Sequence, residues 1–265
     1  MESALTKESS YQTLLYETSD DHVATVTLNR PEAMNAFNRT MCDEFREVWQ
    51  RIRDDDHVHA AVVRAAPGRA FCAGLDTKSA YGQPDDIWNH EDPGEALSPK
   101  WNKCWKPVLC AVHGICTAGA LYFVNEADIV ICSDDATFFD SHVTTGRVAV
   151  LEPIGLARRI HLGDVLRMAL LGNDERITAE TALRIGIVTE VTSPDALWTR
   201  AHELAAKVAE KPSVATQGTV KAIWESLDKG RQAALDQGLA YTRLANPIGE
   251  AQVNTKPKGT AHQLR

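Results

Sequence analysis

Two apolar, strand-like runs in this 265-residue chain each break into a turn built mostly of small residues. Ala60 to Arg64 leads to Ala70-Phe71-Cys72-Ala73-Gly74-Leu75-Asp76. Pro107 to Val112 leads to His113-Gly114-Ile115-Cys116-Thr117-Ala118-Gly119-Ala120. Glycine and alanine at such positions let one backbone approach another, or a ligand, closely. Two such turns side by side can aim two backbone N–H groups at one point. That arrangement stabilises an oxygen atom as it gains negative charge.

The rest of the chain supplies a frame for these turns. Val23 to Leu28 alternates like a half-buried strand and stops at Asn29-Arg30-Pro31. Met41, Phe45, Val48, Trp49 and Ile52 recur at spacings of three and four, which predicts a helix closed by Asp54-Asp55-Asp56-His57. Ala118 to Asn125 reads as a short buried helix. Asp128 to Cys132 is a continuous apolar run, as in a strand covered on both faces. Thr137 to Asp140 and Ile187 to Val191 read as further strands. Helices are expected around Arg167–Leu171, after Thr178, from Pro194 through Val208, at Val220–Leu227 and at Ala233–Leu244. Strands alternating with helices imply an α/β fold with parallel units and a helical C-terminal third. Tyr81 to Lys100, with three prolines, reads as a loop or irregular cap.

Composition narrows the function. A formal net charge of -8 argues against a nucleic-acid binder. No run of about 18 apolar residues occurs, so no membrane span is expected. The polar N-terminus lacks an apolar segment of signal type, and the expected compartment is the cytoplasm. Six cysteines, without zinc-type spacing and set in apolar runs, read as reduced, buried thiols. No metal cluster and no dinucleotide fingerprint is visible.

Five segments together resemble the enoyl-CoA hydratase/isomerase (crotonase) superfamily. They are Leu28-Asn29-Arg30-Pro31-Glu32-Ala33-Met34-Asn35-Ala36, Phe71-Cys72-Ala73-Gly74-Leu75-Asp76, Ala111-Val112-His113-Gly114 with Ala118-Gly119-Ala120, Leu171-Gly172 with Arg176-Ile177-Thr178-Ala179, and Gly186-Ile187-Val188. The likeness covers roughly residues 12 to 250, and the order and spacing of the segments make it specific. It implies a superhelix of ββα units over residues 1–195 carrying a coenzyme A thioester site. A helical trimerisation region at 196–250 and a polar tail at 251–265 would follow. It also implies a homotrimer or a hexamer (dimer of trimers). Coenzyme A would enter as part of the acyl-CoA substrate, with no permanently bound cofactor.

Carried over by position, the oxyanion donors are the backbone N–H groups of Leu75 and Gly119. Ala33, Met34 and Ala36 would line the pantetheine or adenine region, with Ala73, Gly74 and Asp76 beside the thioester arm. Arg30 is either a phosphate contact or, more simply, a turn arginine. The family's hydratases carry a glutamate three residues after the oxyanion glycine and a second about twenty residues on; this chain has Tyr122 and His142 there. Hydration needs one group to activate water and another to protonate the α-carbon. The resemblance therefore implies an enolate-forming enzyme that departs from standard hydration.

The remaining polar set is Tyr122, Asp140, His142 and Glu152. Asp140 and His142, two apart, share a face of an extended segment. A carboxylate orienting an imidazole is a recurrent catalytic pairing. This favours His142 as base, Asp140 as its orienter and Tyr122 as acid, in isomerisation or in C–C hydrolysis of a β-keto thioester. Glu152 is either a relocated acid or a first-turn helix residue ahead of Pro153. Two alternatives stand beside this: a hydratase with substituted acid and base, and an inactive acyl-CoA-binding protein. Trp88, His90, Trp101 and Trp105 are candidates to shape an acyl pocket.

Overall fold

A computed structural model describes residues 6–7, 11–78, 88 and 92–253. The chain begins with strands β1 (Thr6–Lys7), β2 (Leu14–Thr18) and β3 (Val23–Leu28), followed by helix α1 (Arg39–Asp54). Next come β4 (Ala60–Ala65), β5 (Ala70–Cys72), β6 (Val108–Val112), β7 (Ile115–Thr117), α2 (Leu121–Glu126), β8 (Ile129–Ser133) and β9 (Thr137–Phe139). Helices α3 (Leu151–Leu156) and α4 (Leu162–Leu171), strand β10 (Ile177–Thr178), helix α5 (Ala179–Ile185) and strand β11 (Glu190–Thr192) complete the sheet region. Helices α6 (Pro194–Ala209), α7 (Ser213–Ser226) and α8 (Arg231–Ala251) end the chain.

The strands sort into two sheets in a regular way. One has the order β1-β2-β3-β4-β6-β8-β11 and the other β10-β9-β7-β5. After β4, successive strands alternate between the two sheets: β4 and β5, β6 and β7, then β8 and β9. Each turn of the chain thus gives one strand to each sheet and then a helix or loop, which is the expected ββα superhelix. The large sheet is mixed, because β1 and β2 run antiparallel at its edge while β3, β4, β6, β8 and β11 are parallel.

Both faces of the large sheet are covered, which explains its unbroken apolar strands. On one face Met41, Phe45, Val48, Trp49 and Ile52 of α1 join a core with Val26, Val63 and Cys110. Asn38 caps α1, its side chain accepting from Met41 N–H at 2.9 Å. On the other face Leu197, Ala201, Ala205 and Ala209, spaced four apart on α6, pack against Val62, Leu109 and Ile131. The division expected at residue 195 falls in the first turn of α6, so that helix belongs to the sheet core by packing.

Several element boundaries differ from expectation. The strand expected at Ile187 starts only at Glu190, because the N–H groups of Ile187 and Val188 both turn back to Ala182 O at the end of α5. Helices α7 and α8 are longer than their apolar spacing suggests, and α8 runs through Pro247. Half of Tyr81–Lys100, including His90, lies outside the described residues; within it Pro93–Leu97 forms a 3-10 turn. All six cysteines are free and buried. Burial pushes the Cys72 and Cys132 thiols up to about 12, so they stay protonated. Among the described residues no helix is long and apolar enough to cross a membrane.

Candidate active site

The two small-residue turns meet because their strands are neighbours. β5 and β7 pair in parallel, with Cys72 opposite Cys116. Leu75 and Gly119 each lie three residues beyond that pair, at the ends where parallel strands open together. A Cβ on Gly74, which has φ +84°, would lie 3.1 Å from Thr117 O and 3.4 Å from Gly119 N. Only glycine fits that approach. Ala118 holds φ +50°, a left-handed conformation that alanine adopts at a cost of about 1–3 kcal/mol. Gly119 is the second residue of a 3-10 turn over Ala118–Ala120, where the leading N–H groups have no partner within the turn.

The segment carrying Ala33, Met34 and Ala36 docks on the first turn. Ala73 N–H donates to Met34 O at 3.1 Å, Phe37 N–H to Gly74 O at 2.9 Å, and Asp76 N–H to Phe37 O at 2.8 Å. This forms a parallel bridge between Phe37 and Leu75. The N–H of Leu75 points away from Phe37 in such a bridge, and it is bonded to no described residue. Met34 is exposed, whereas Ala36 is buried. Arg30 is engaged within the chain: it pairs with Asp76 at 2.9 Å and donates to Ala36 O at 2.6 Å. That favours its role as a turn arginine that holds the two segments together.

The polar residues gather beside Gly119. Asp140, just past β9, is fully buried; its Oδ1 accepts from His142 N–H at 2.9 Å and lies 2.7 Å from His142 Nδ1. The other face of the imidazole turns to Glu152, with Nε2 to Oε1 at 3.8 Å. That is too long for a direct hydrogen bond and close enough for strong charge coupling. Glu152 Oε1 lies 3.7 Å from where a Gly119 Cβ would sit. Glu152 thus lies in the first turn of α3, and its carboxylate faces the turn with Gly119. The Asn125 side chain fixes that turn by donating to Glu152 O at 2.8 Å.

Environment sets the protonation of this cluster. The hydrogen bond to Asp140 raises the His142 pKa, and the Glu152 charge adds to it against partial burial. Burial raises the Glu152 carboxyl pKa, opposed by the nearby imidazole. Both shifts are upward: the imidazole holds its proton more tightly than an ordinary histidine, and the Glu152 carboxyl moves toward neutral pH. Burial pushes the Tyr122 phenol far up, with the Glu152 and Asp92 charges adding to it. Its hydroxyl is buried and completes no hydrogen bond of good geometry, although Asp92 is beside it. Tyr122 is held neutral, and its ring lies against Gly94, where a Cβ would come within 2.5 Å of Cε2. Among the described residues no three His, Cys, Asp or Glu side chains gather to hold a metal ion.

Sequence reading missed Asn125 and Phe37. The Phe37 ring fills the space a side chain on residue 119 would take, with Cε1 2.5 Å from the Cβ position. Their signals are tertiary: an asparagine in a helix and a phenylalanine after a turn say nothing locally about a neighbour about 30 or 80 residues away.

The enoyl-CoA hydratase/isomerase family model matches residues 18–247. The (E)-benzylidenesuccinyl-CoA hydratase of Thauera aromatica is 34% identical over 226 residues, covering 84% of this chain and 86% of the relative. The mitochondrial Delta(3,5)-Delta(2,4)-dienoyl-CoA isomerase of Mus musculus is 32% identical over 240 residues, covering 86% and 73%. A crystal structure of an enoyl-CoA hydratase/isomerase from Mycobacterium paratuberculosis superimposes with a TM-score of 0.79 at 37% identity, covering 93% of this chain and 92% of that one. With a crotonase fold and a match over most of its length, the chain belongs to the enoyl-CoA hydratase/isomerase family.

Proposed function

We propose that this protein moves a proton next to the carbonyl of an acyl-CoA thioester, with His142 and Glu152 as the acid–base couple. The observation that carries this reading is the imidazole set between two carboxylates beside Gly119. The thioester oxygen sits between the N–H groups of Leu75 and Gly119, and the acyl-CoA arm runs along Ala33, Met34, Ala36, Ala73, Gly74 and Asp76. One member of the couple takes a proton from carbon, and the electron pair of the C–H bond moves to the thioester oxygen as an enolate. The enolate collapses as the other member returns a proton at a different carbon, which shifts the double bond. Asp140 is a positioning residue that fixes the imidazole through Nδ1. Tyr122, held neutral, walls the site and offers a hydrogen bond.

Hydration is the second reading, because two titratable groups 3.8 Å apart also suit one activating water while the other protonates the α-carbon. Incubation with 3-enoyl-CoA esters and with crotonyl-CoA separates the two: isomerisation raises the conjugated-thioester absorbance and hydration lowers it. Absence of either change across chain lengths, with the ester bound, would leave an acyl-CoA-binding protein and overturn the catalytic reading. A homotrimer or dimer of trimers goes with the same reading. Leu235, Leu239, Leu244 and Ile248 of α8 are exposed and supply the apolar surface, and light scattering measures the assembly.

A further inference from the structure

A cavity adjoins the candidate active site at Tyr122. It encloses about 360 Å³, within the range of small-molecule pockets, between α2, α3, α7 and the segment before β6. Leu151 and Gly155, on either side of Glu152 in α3, form part of its wall. Tyr122, Trp101, Trp105 and Trp224 face it from other directions. Trp101 is 54% exposed, a large aromatic surface left open to water.

The cavity presents apolar rings and engaged charges. Its two cations are already paired, Lys100 with Asp128 at 2.9 Å and Arg158 with Asp228 at 2.7 Å. Glu126 accepts from the N–H groups of Lys100 and Trp101 at 2.7 and 3.0 Å. Glu225 is bonded to Lys221 and Tyr241. Lining acids (Glu95, Glu126, Glu225 and Asp228) outnumber lining bases, so an added carboxylate meets repulsion with no cation to receive it.

We infer that this cavity is the specificity pocket for the distal end of the acyl group, and that it selects a neutral, ring-bearing acyl chain over a short alkyl or a carboxylate-terminated one. The inference rests on the acyl-CoA reading above. Aromatic walls hold a planar ring by offset or edge contacts, which short alkyl chains cannot reproduce.

Calorimetric titration of the full-length protein with three saturated thioesters tests this: 3-phenylpropanoyl-CoA, butanoyl-CoA and succinyl-CoA. Binding needs no turnover, so the pocket is tested apart from catalysis. The phenyl ester is expected to bind about tenfold tighter than butanoyl-CoA. Succinyl-CoA is expected to bind no better than butanoyl-CoA. Trp101→Ala, at an exposed ring whose loss leaves the core intact, and Trp105→Ala should each weaken binding of the phenyl ester severalfold more than binding of butanoyl-CoA. Equal affinity for phenyl and butanoyl esters, a preference for succinyl-CoA, or a phenyl preference unmoved in both variants overturns the pocket assignment. If crotonyl-CoA is still turned over in that case, the acyl-CoA reading survives; if no CoA ester binds, both fall.

Discussion

Glu152→Gln separates charge from shape at the proposed couple. Glutamine keeps the side-chain length, the contact with the Gly119 turn and the backbone bond from Asn125. It removes one proton site and one negative charge 3.8 Å from His142 Nε2. Loss of a positioned acid or base typically costs 10²–10⁴ in turnover, about 3–5.5 kcal/mol of barrier. The lost attraction has its own size. Two unit charges 4 Å apart interact by about 1 kcal/mol in water and about 4 kcal/mol at the effective dielectric of a part-buried site, and these side chains are both largely shielded. The imidazolium of His142 should therefore become easier to deprotonate, so its pKa falls while the Asp140 bond remains. Steady-state rates across pH, on whichever thioester the wild type turns over, give the first number. An NMR titration of the His142 ring gives the second. Wild-type turnover in the variant, together with an unmoved His142 titration, would show that Glu152 is only a helix-turn residue.

Two further outcomes follow from geometry and burial. Gly119→Ala drives a Cβ to 2.5 Å from Phe37 Cε1, so turnover should collapse; Phe37→Leu in the same chain should restore part of it, a non-additivity that a double-mutant cycle measures. His113 is buried with neither ring nitrogen in a hydrogen bond of good geometry, although the Gly68 backbone is beside it, and burial lowers its pKa below the ordinary histidine value. The unfolded chain then binds that proton first, so the His113 contribution is complete above the ordinary value and is lost as pH falls. His142, raised, works in the opposite sense: its contribution is complete below the ordinary value and is lost as pH rises through its folded value. Denaturant unfolding of His113→Leu beside wild type at pH 5.5 and 7.5 isolates the first effect, and an identical pH slope in both proteins would refute it.

Much of this fold is legible in the chain. The α1 stripe from Met41 to Ile52 and the two turns are local patterns whose period or glycine content fixes their structure, whereas Val23–Leu28 reads as a half-buried strand and is buried on both faces because α6 covers the second one. The Asp140–His142 pairing is legible from the spacing, but not its cause: β9 ends at Phe139 and His142 is helical, so the two side chains meet through a turn in which Asp140 Oδ1 accepts from the His142 N–H, not on one face of an extended segment. What brings Glu152 to that pair is not local. It depends on α3 packing on α2, through Asn125 lying so close to Gly155 that a Cβ there would come within 2.5 Å of its side chain. Strand β11 is short for a local reason, because the helix end at Gly186 takes up the amides of Ile187 and Val188. Helices α7 and α8 carry weak apolar periodicity because they pack mainly on each other, so their lengths are set by that contact rather than by a stripe.

Because the Leu75 and Gly119 bends are continuations of two laddered neighbours, β5 and β7, their separation follows from the pitch between hydrogen-bonded chains, about 4.8 Å. No side chain sets that width. Substitutions of the groups on β9, α2 and α3 can therefore alter the surroundings of the two bends while the backbone ladder keeps their spacing.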